Sequence, residues 1–473
     1  MRRIQKLFAN HKKTLARKKR LKRWQIHLMR YSNFRKNKAS KKENRIYRRA
    51  KFFPKNKIIK SAAPLSPTIR HLFSCSQLLG ISKLTKITGD QSIIIPDIFS
   101  LTNDVESTKS TFSFIVKLFY ALYNDHCHTI LLDYSKCEHI DLDAQVLMDV
   151  VLKEMFNHNN KKKSMGIRVY LKILRPINYE KEHIEKILFS IGSFKIHNNL
   201  ERKYQDILPF HLKVGKKAGF IGGAKEQSSQ KEVHTTELID YVIDSLRLMH
   251  REIRPESRSH LCQVVGEVLI NAEEHGTTDK WYSIGFFYDN QDEKNHFGTF
   301  NLVIFNIGST IYEKFKDPAC PTKHIVIRMD ELSGKYTKNG FFKKAVFVEE
   351  TLWTLYALQE GVTTKVNYKK RGNGCIRFIN SFLELKGIGQ FKDDISKMTI
   401  LSGNTKITFD GSYALTDKAK GDSKFRVMTF NKSGDIENQP DENFVSFTEN
   451  YFPGTMIIAK IRIGEEDLQP SKS

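Results

Sequence analysis

Residues 266–276 read Gly266-Glu267-Val268-Leu269-Ile270-Asn271-Ala272-Glu273-Glu274-His275-Gly276. The apolar set Val264, Val265, Val268, Leu269 and Ala272 recurs with helical period, which predicts an amphipathic helix laid on a core and ended by a glycine. Glu267, Asn271 and His275 follow one another at i, i+4 spacing, so a carboxylate, an amide and an imidazole share one helical face. A carboxylate orients or deprotonates water, and an amide oxygen is a hard ligand suited to Mg2+. Taken alone, the run also suits an ordinary surface helix with a polar stripe.

Three downstream segments sharpen the reading. Residues 300–305 alternate as a strand and run into Asn306-Ile307-Gly308-Ser309-Thr310-Ile311, a polar turn at a strand end. Further on, Lys369-Lys370-Arg371-Gly372-Asn373-Gly374 precedes the apolar Ile376, Phe378, Ile379 and Phe382. Glycines before a helix let backbone amides approach phosphate, and the helix terminus adds a favourable field. Finally, Pro453-Gly454-Thr455 opens the apolar run 456–459, a turn into a buried strand.

In this order the segments resemble the boxes of the GHKL ATPase superfamily, and E-x-x-x-N-A-x-x-H-G is closest to anti-sigma-factor serine kinases. The resemblance implies ATP and Mg2+ as cofactors. Asn271 would hold the Mg2+, Glu267 would be the catalytic base or water-orienting group, and His275 would sit beside the phosphates. Arg371, Gly372 and Gly374 would form the second glycine box. Thr455 would close the adenine pocket through its hydroxyl. At the first glycine box, with Gly308, this chain departs from D-x-G-x-G: Asn306 replaces the Asp and Thr310 the second Gly. An amide oxygen still accepts the adenine amino proton, but more weakly than a carboxylate. The interval 309–370 is expected to contain the cover over the nucleotide. Its candidate is the polar loop 333–340, with Lys335 or Lys338 reaching a phosphate, followed by a helix over 345–361.

Upstream, the apolar run 128–132 ends at Asp133, and a short second strand leads through Asp141-Leu142-Asp143-Ala144 into a helical face of Val146, Leu147, Val150, Val151 and Met155. This α/β pattern resembles the STAS domain of anti-sigma-factor antagonists. There the position of Asp143 is a serine phosphorylated by a partner GHKL kinase, and that of Ala144 a glycine. An aspartate there implies a phospho-switch that is lost or fixed in one state. Asp141 and Asp143 are also expected to cap the helix.

Charge divides the chain. Residues 1–60 hold 24 Lys plus Arg against the single acid Glu43, a balance of +23 within a total of +26. Trp24, Tyr31, Phe34 and Tyr47 are interleaved with that charge. Such an arm suits phosphate backbones, with bases stacked on the rings; anionic lipid, an acidic protein surface, an organelle transit peptide or a solvated, partly helical arm remain alternatives. No apolar run approaches the roughly eighteen residues of a membrane span. The six cysteines are scattered without C-x-x-C spacing, which points to reduced thiols and a cytoplasmic location. His126, Cys127, His128, Cys137 and His139 make a poor metal site, since strand alternation sends neighbours to opposite faces.

The sequence therefore predicts an α+β protein: a basic arm (1–60), a STAS-like α/β domain (85–212), a flexible linker (213–234) rich in Gly, Ser, Gln and Lys, and a GHKL-type sandwich (235–465) of a mixed sheet under helices, opened by a helix over 236–253. The favoured function is an Mg-ATP-binding regulator with slow hydrolysis or protein-serine kinase activity. Its partners are a protein met through the STAS-like domain and nucleic acid met through the arm; a homodimer is left open. The competing reading is a non-catalytic scaffold or a nucleic-acid-associated factor.

Overall fold

The computed structural model describes residues 65–72, 90–123, 127–165, 169, 173–191, 204–216, 224–248, 251–256, 258–260, 262, 266–267, 278, 280–290, 297–337, 346–364, 374–386, 395–420, 423–463 and 468–470. In chain order the N-terminal unit comprises α1 (Pro67–Leu72), β1 (Gln91–Ile94), β2 (Ile98–Phe99), α2 (Val105–Tyr123), β3 (Thr129–Asp133), β4 (His139–Ile140), α3 (Leu142–Ser164), β5 (Ile173–Ile177) and α4 (Glu182–Ser190). The C-terminal unit follows with β6 (Ile207–Lys216), α5 (Ala224–Leu248), β7 (Arg251–Ile253), β8 (Lys280–Asn290) and β9 (Phe297–Ile307). Next come α6 (Ile311–Lys316), α7 (Lys323–Thr337), α8 (Glu349–Ala357) and α9 (Gly374–Lys386). The chain then runs through β10 (Lys397–Phe409), the hairpin β11 (Thr416–Lys420) and β12 (Ser423–Val427), β13 (Val445–Ile463) and β14 (Leu468–Pro470). The protein is thus mixed α+β, and among the described residues no helix is long and apolar enough to cross a membrane.

The N-terminal unit is built on a parallel sheet in the order β1-β3-β5, with β2 and β4 paired beside it. Parallel strands need crossovers, and α2 and α3 supply them. Their buried faces, Phe112, Ile115 and Phe119 on α2 and Val146, Leu147, Val150 and Val151 on α3, fill one core. The apolar periodicity from Val146 onward correctly marks α3.

The C-terminal sheet runs β10-β13-β9-β8-β6, and every neighbouring pair is antiparallel. The expected mixed sheet is therefore corrected to an antiparallel one. Both of its faces are covered. Phe300, Leu302 and Ile304 join Leu352, Trp353, Ile379 and Phe382 under the helices. Tyr282, Ile284, Val303, Phe305 and Ile307 join the core of the N-terminal unit on the opposite side. Double coverage explains why β9 is almost continuously buried where a sheet wet on one side would alternate.

The boundary between the units also differs from the expectation. Residues 213–216, expected in the linker, pair with Ser283, Tyr282, Trp281 and Lys280, and Ala224–Leu248 is helical, so helix also replaces linker over 224–234. The expected helix over 236–253 accordingly starts earlier and ends earlier. Gly215 is the reason composition misleads here. A Cβ on it would lie 1.9 Å from the Trp281 ring, so the residue permits close packing and does not mark a flexible joint. The stretch 207–212, expected in the STAS-like domain, belongs to the same edge strand. The helix expected over 345–361 is shorter, Glu349–Ala357.

Candidate functional site

The turn after β9 lies at one end of the antiparallel sheet. Asn306 is 2 % exposed, and its Cα neighbours across the ladder are Thr455 on β13 and Trp281 on β8. Strand alternation puts these three on the helix-covered face, in phase with Ile304 and Leu302. Asn306 and Thr455, 149 positions apart in the sequence, are thus direct neighbours. The Thr455 hydroxyl is 3.0 Å from Ser402 Oγ, which also donates to the Gly454 carbonyl at 3.1 Å and accepts from Ile311 N at 3.0 Å. One serine thereby joins β10, β13 and the start of α6.

The turn itself is pinned from several sides. Gly308 N donates to the Pro453 carbonyl at 2.9 Å, Thr278 Oγ1 donates to the Ile307 carbonyl at 2.5 Å, and His71 Nε2 donates to the Gly308 carbonyl at 2.9 Å. Thr310, which stands where the resemblance places a second glycine, has a positive structural role. Its side chain accepts from Glu313 N while Glu313 reaches back to Thr310 N, a complete capping box that starts α6. Tyr451 Oη donates to Glu313 at 3.1 Å and ties that cap to β13. Beside it, Glu350 accepts from Asn404 N at 2.7 Å at the irregularity of β10, where Gly403 has a φ of +61°. Burial pushes the Glu350 carboxyl up to about 7, against the lowering effect of that hydrogen bond.

Glu267 is helical and lies against the start of α9. Its carboxylate is 3.7 Å from Arg377, an ion-pair distance too long for a hydrogen bond. Burial, with Glu267 adding to it, pushes the neighbouring Cys375 thiol up to about 12. The candidate base and the helix opened by Gly374 are therefore side by side. Asn271, His275, Arg371 and Gly372 lie outside the described residues.

Two expectations are corrected. Residues 333–337 form the last turns of α7 and are not a loop. Ser333 is buried and accepts from Trp353 Nε1 at 3.1 Å, and Lys335 pairs with Glu437 at 2.8 Å, so both have partners within the fold. Residues 338–340, with Lys338, lie outside the described residues. The second correction concerns the start of α3. Asp141 occupies the N-cap position, but its carboxylate accepts from His139 at 2.9 Å and makes no side-chain cap. Asp143 is 1 % exposed and turns across to the 101–102 segment, accepting from Leu101 N at 3.2 Å and Thr102 Oγ1 at 2.8 Å besides its neighbour Ala144 N. Burial and the adjacent Asp141 push its carboxyl up to about 7.

Ser402, Glu350 and His71 are the site residues that sequence reading misses. Ser402-Gly403-Asn404 interrupts an otherwise apolar strand, a pattern that signals a bulge. The other two have no local signal, since only the fold brings them to the turn. No family model, curated protein or solved structure matches the chain.

Proposed function

We propose that the C-terminal unit binds Mg-ATP in the manner of GHKL-type ATPases and acts as a nucleotide-dependent regulator. The observation that carries the proposal is the register Asn306–Thr455–Ser402 at the glycine turn: two separately identified motifs become cross-strand neighbours on one face. The element order supports it. A helical Glu267 segment is followed by β8 and β9, the turn at Gly308, a helix opened by Gly374, and the strands β10 to β13, the last of which runs through Gly454-Thr455 in place of the turn expected there. In this reading Asn306 accepts from the adenine amino group, Thr455 and Ser402 supply hydroxyls beside it, and Asn271 holds Mg2+ between the phosphates. Arg371, Gly372 and Gly374 meet the phosphates, and His275 lies beside them. Glu267 orients the attacking group. If that group is water the domain is a slow ATPase; if it is a protein hydroxyl the domain is a serine kinase.

The N-terminal unit is read as the STAS-like regulator of that site. It covers the back of the sheet and shares one core with it, so the regulator is docked in cis. Phosphorylation at position 143 is not part of the proposal, because the aspartate there is enclosed and bonded to the 101–102 segment. Residues 1–60 are read as a nucleic-acid contact on the strength of their +23 charge.

The test is calorimetry of Mg-ATP on wild type, Asn271→Ala and Glu267→Ala, with phosphate release and phosphotransfer followed in parallel. Binding lost in Asn271→Ala and turnover lost in Glu267→Ala are expected. Absence of binding by the folded wild-type protein would refute the proposal and leave the scaffold reading.

A further inference from the structure

We propose that the base end of the site takes guanine as well as adenine, so that Mg-GTP is a ligand of the C-terminal unit alongside Mg-ATP. The inference rests on the Mg-ATP reading above and widens its substrate class. It concerns three residues, Asn306, Thr455 and Ser402, which the ladder sets side by side on β9, β13 and β10.

The direction of the hydroxyl hydrogen bonds carries it. A serine hydroxyl has one proton and two lone pairs. All three are engaged at Ser402, which is 0 % exposed: its Oγ accepts from Ile311 N at 3.0 Å, donates to the Gly454 carbonyl at 3.1 Å, and lies 3.0 Å from Thr455 Oγ1. A backbone N–H only donates and a carbonyl only accepts. The single assignment that makes all three contacts hydrogen bonds therefore has Thr455 donating to Ser402. That commits the one proton of Thr455. The half-buried Thr455 is left with lone pairs alone and can only accept from a ligand.

Asn306 supplies the second half. Where the resemblance has a carboxylate that only accepts, the amide carries an acceptor and a donor, and a half-turn of its last torsion exchanges them in nearly the same space. The two purines present opposite patterns on the edge involved. Adenine has a donor at N6 and an acceptor at N1, whereas guanine has an acceptor at O6 and a donor at N1. Guanine matches both residues, with Asn306 Nδ2 donating to O6 and N1–H donating to Thr455 Oγ1. Adenine matches the amide oxygen but sets N1 against the Thr455 lone pairs. A water, with two protons to give, reconciles that second contact, so adenine is retained. Ser402 touches neither base; it is a positioning residue that fixes the direction of the Thr455 proton.

The experiment measures the Kd of Mg-AMPPNP and of Mg-GMPPNP on the full chain by calorimetry. In wild type, GMPPNP is expected to bind no more than about 10-fold more weakly than AMPPNP, the scale of one hydrogen bond. Thr455→Val keeps a β-branched shape in β13 and removes the acceptor, so GMPPNP should weaken about 2- to 10-fold more than AMPPNP. Ser402→Ala frees the Thr455 proton for adenine N1 and should shift the ratio toward AMPPNP by a similar factor; a merely structural loss at Ser402 would weaken both analogues alike. Asn306→Asp sets a carboxylate against O6 and should shift the ratio toward AMPPNP by about 10- to 100-fold. If the buried carboxylate unfolds that variant, the wild-type ratio and the two hydroxyl variants decide. A wild-type GMPPNP Kd weaker than AMPPNP by more than about 10-fold overturns the inference and leaves the Mg-ATP reading intact, as does a ratio unchanged by either Thr455→Val or Ser402→Ala. Failure of both analogues to bind the folded protein refutes the nucleotide reading and this inference with it.

Discussion

Replacing Gly454 by alanine tests the geometry at the centre of the site. A Cβ at this position would lie 2.0 Å from the Asn306 carbonyl oxygen, 3.0 Å from its carbon and 3.1 Å from Ile307 Cα, all backbone atoms that no rotamer change can move. Relief requires β13 and β9 to part by more than about 1 Å where Gly454 faces Ile307, since normal contacts begin near 3.5 Å. That movement breaks the Gly308 N to Pro453 carbonyl bond and the Ser402 to Gly454 bond, together about 1–3 kcal/mol. A backbone φ of +156° adds about 1–3 kcal/mol of strain for a non-glycine residue. The lower entropy of unfolded alanine works against the alanine-bearing protein unfolding and offsets about 0.4–1 kcal/mol. The net expectation is a loss of about 2–4 kcal/mol. Denaturant unfolding followed by tryptophan fluorescence reads it directly, because Trp281 is the cross-strand neighbour of Asn306. Gly266→Ala is the control: it sits in a helix with nothing within 4 Å of the added carbon, and should be neutral or stabilising by up to about 1 kcal/mol. A Gly454→Ala loss below about 0.5 kcal/mol with an unchanged denaturant slope would refute the strand contact and the pairing of Asn306 with Thr455 built on it.

Glu350→Gln keeps an acceptor for Asn404 N but removes a carboxyl raised from 4.5 to about 7, so wild-type stability should fall as pH rises across that interval. The variant should exceed wild type by about 1–2 kcal/mol at pH 8, under a ceiling of about 3 kcal/mol for the full shift, and the gap should narrow toward pH 5; a gap that is the same at both values refutes the burial argument. Lys280→Ala leaves the Glu154 carboxylate, 2 % exposed and 2.6 Å from the ammonium, without its ion-pair partner between α3 and β8, at a cost of about 3–5 kcal/mol. Lys280→Met with Glu154→Leu should recover most of that loss in a double-mutant cycle, and an additive cycle would show that the pair does not couple the two units.

Element types were legible where one periodicity acts alone. The apolar residues from Val146 to Met155 and the apolar run ending at Asn306 mark a helix and a strand, and α3 and β9 stand there, though both are buried on more than the one face the repeats suggest. Boundaries failed where a residue serves a contact that is distant in sequence. Gly215 and Gly334 read as loop glycines, yet the first makes room for the Trp281 ring and the second lies within α7. Composition reports the freedom a residue has when nothing surrounds it; the fold decides whether that freedom is spent on flexibility or on a close approach.

The same distinction governs the site. Asn306, Gly308 and Thr455 were singled out from short local motifs, and the ladder does bring Asn306 and Thr455 together, although Thr455 lies within β13 and not in a turn before it. Ser402, Glu350 and His71 were not, because their roles exist only after β10, α8 and α1 have been brought to the turn from 94, 42 and 237 positions away. These later arrivals make the polar end of the sheet a connected network: Ser402 links the hydroxyl of Thr455 to the α6 backbone, Glu350 holds the β10 irregularity next to it, and His71 fixes the carbonyl of Gly308. The N-terminal unit therefore meets the turn twice, through the 2.9 Å bond from His71 and through the shared core to which Phe305, Ile307 and Phe452 contribute.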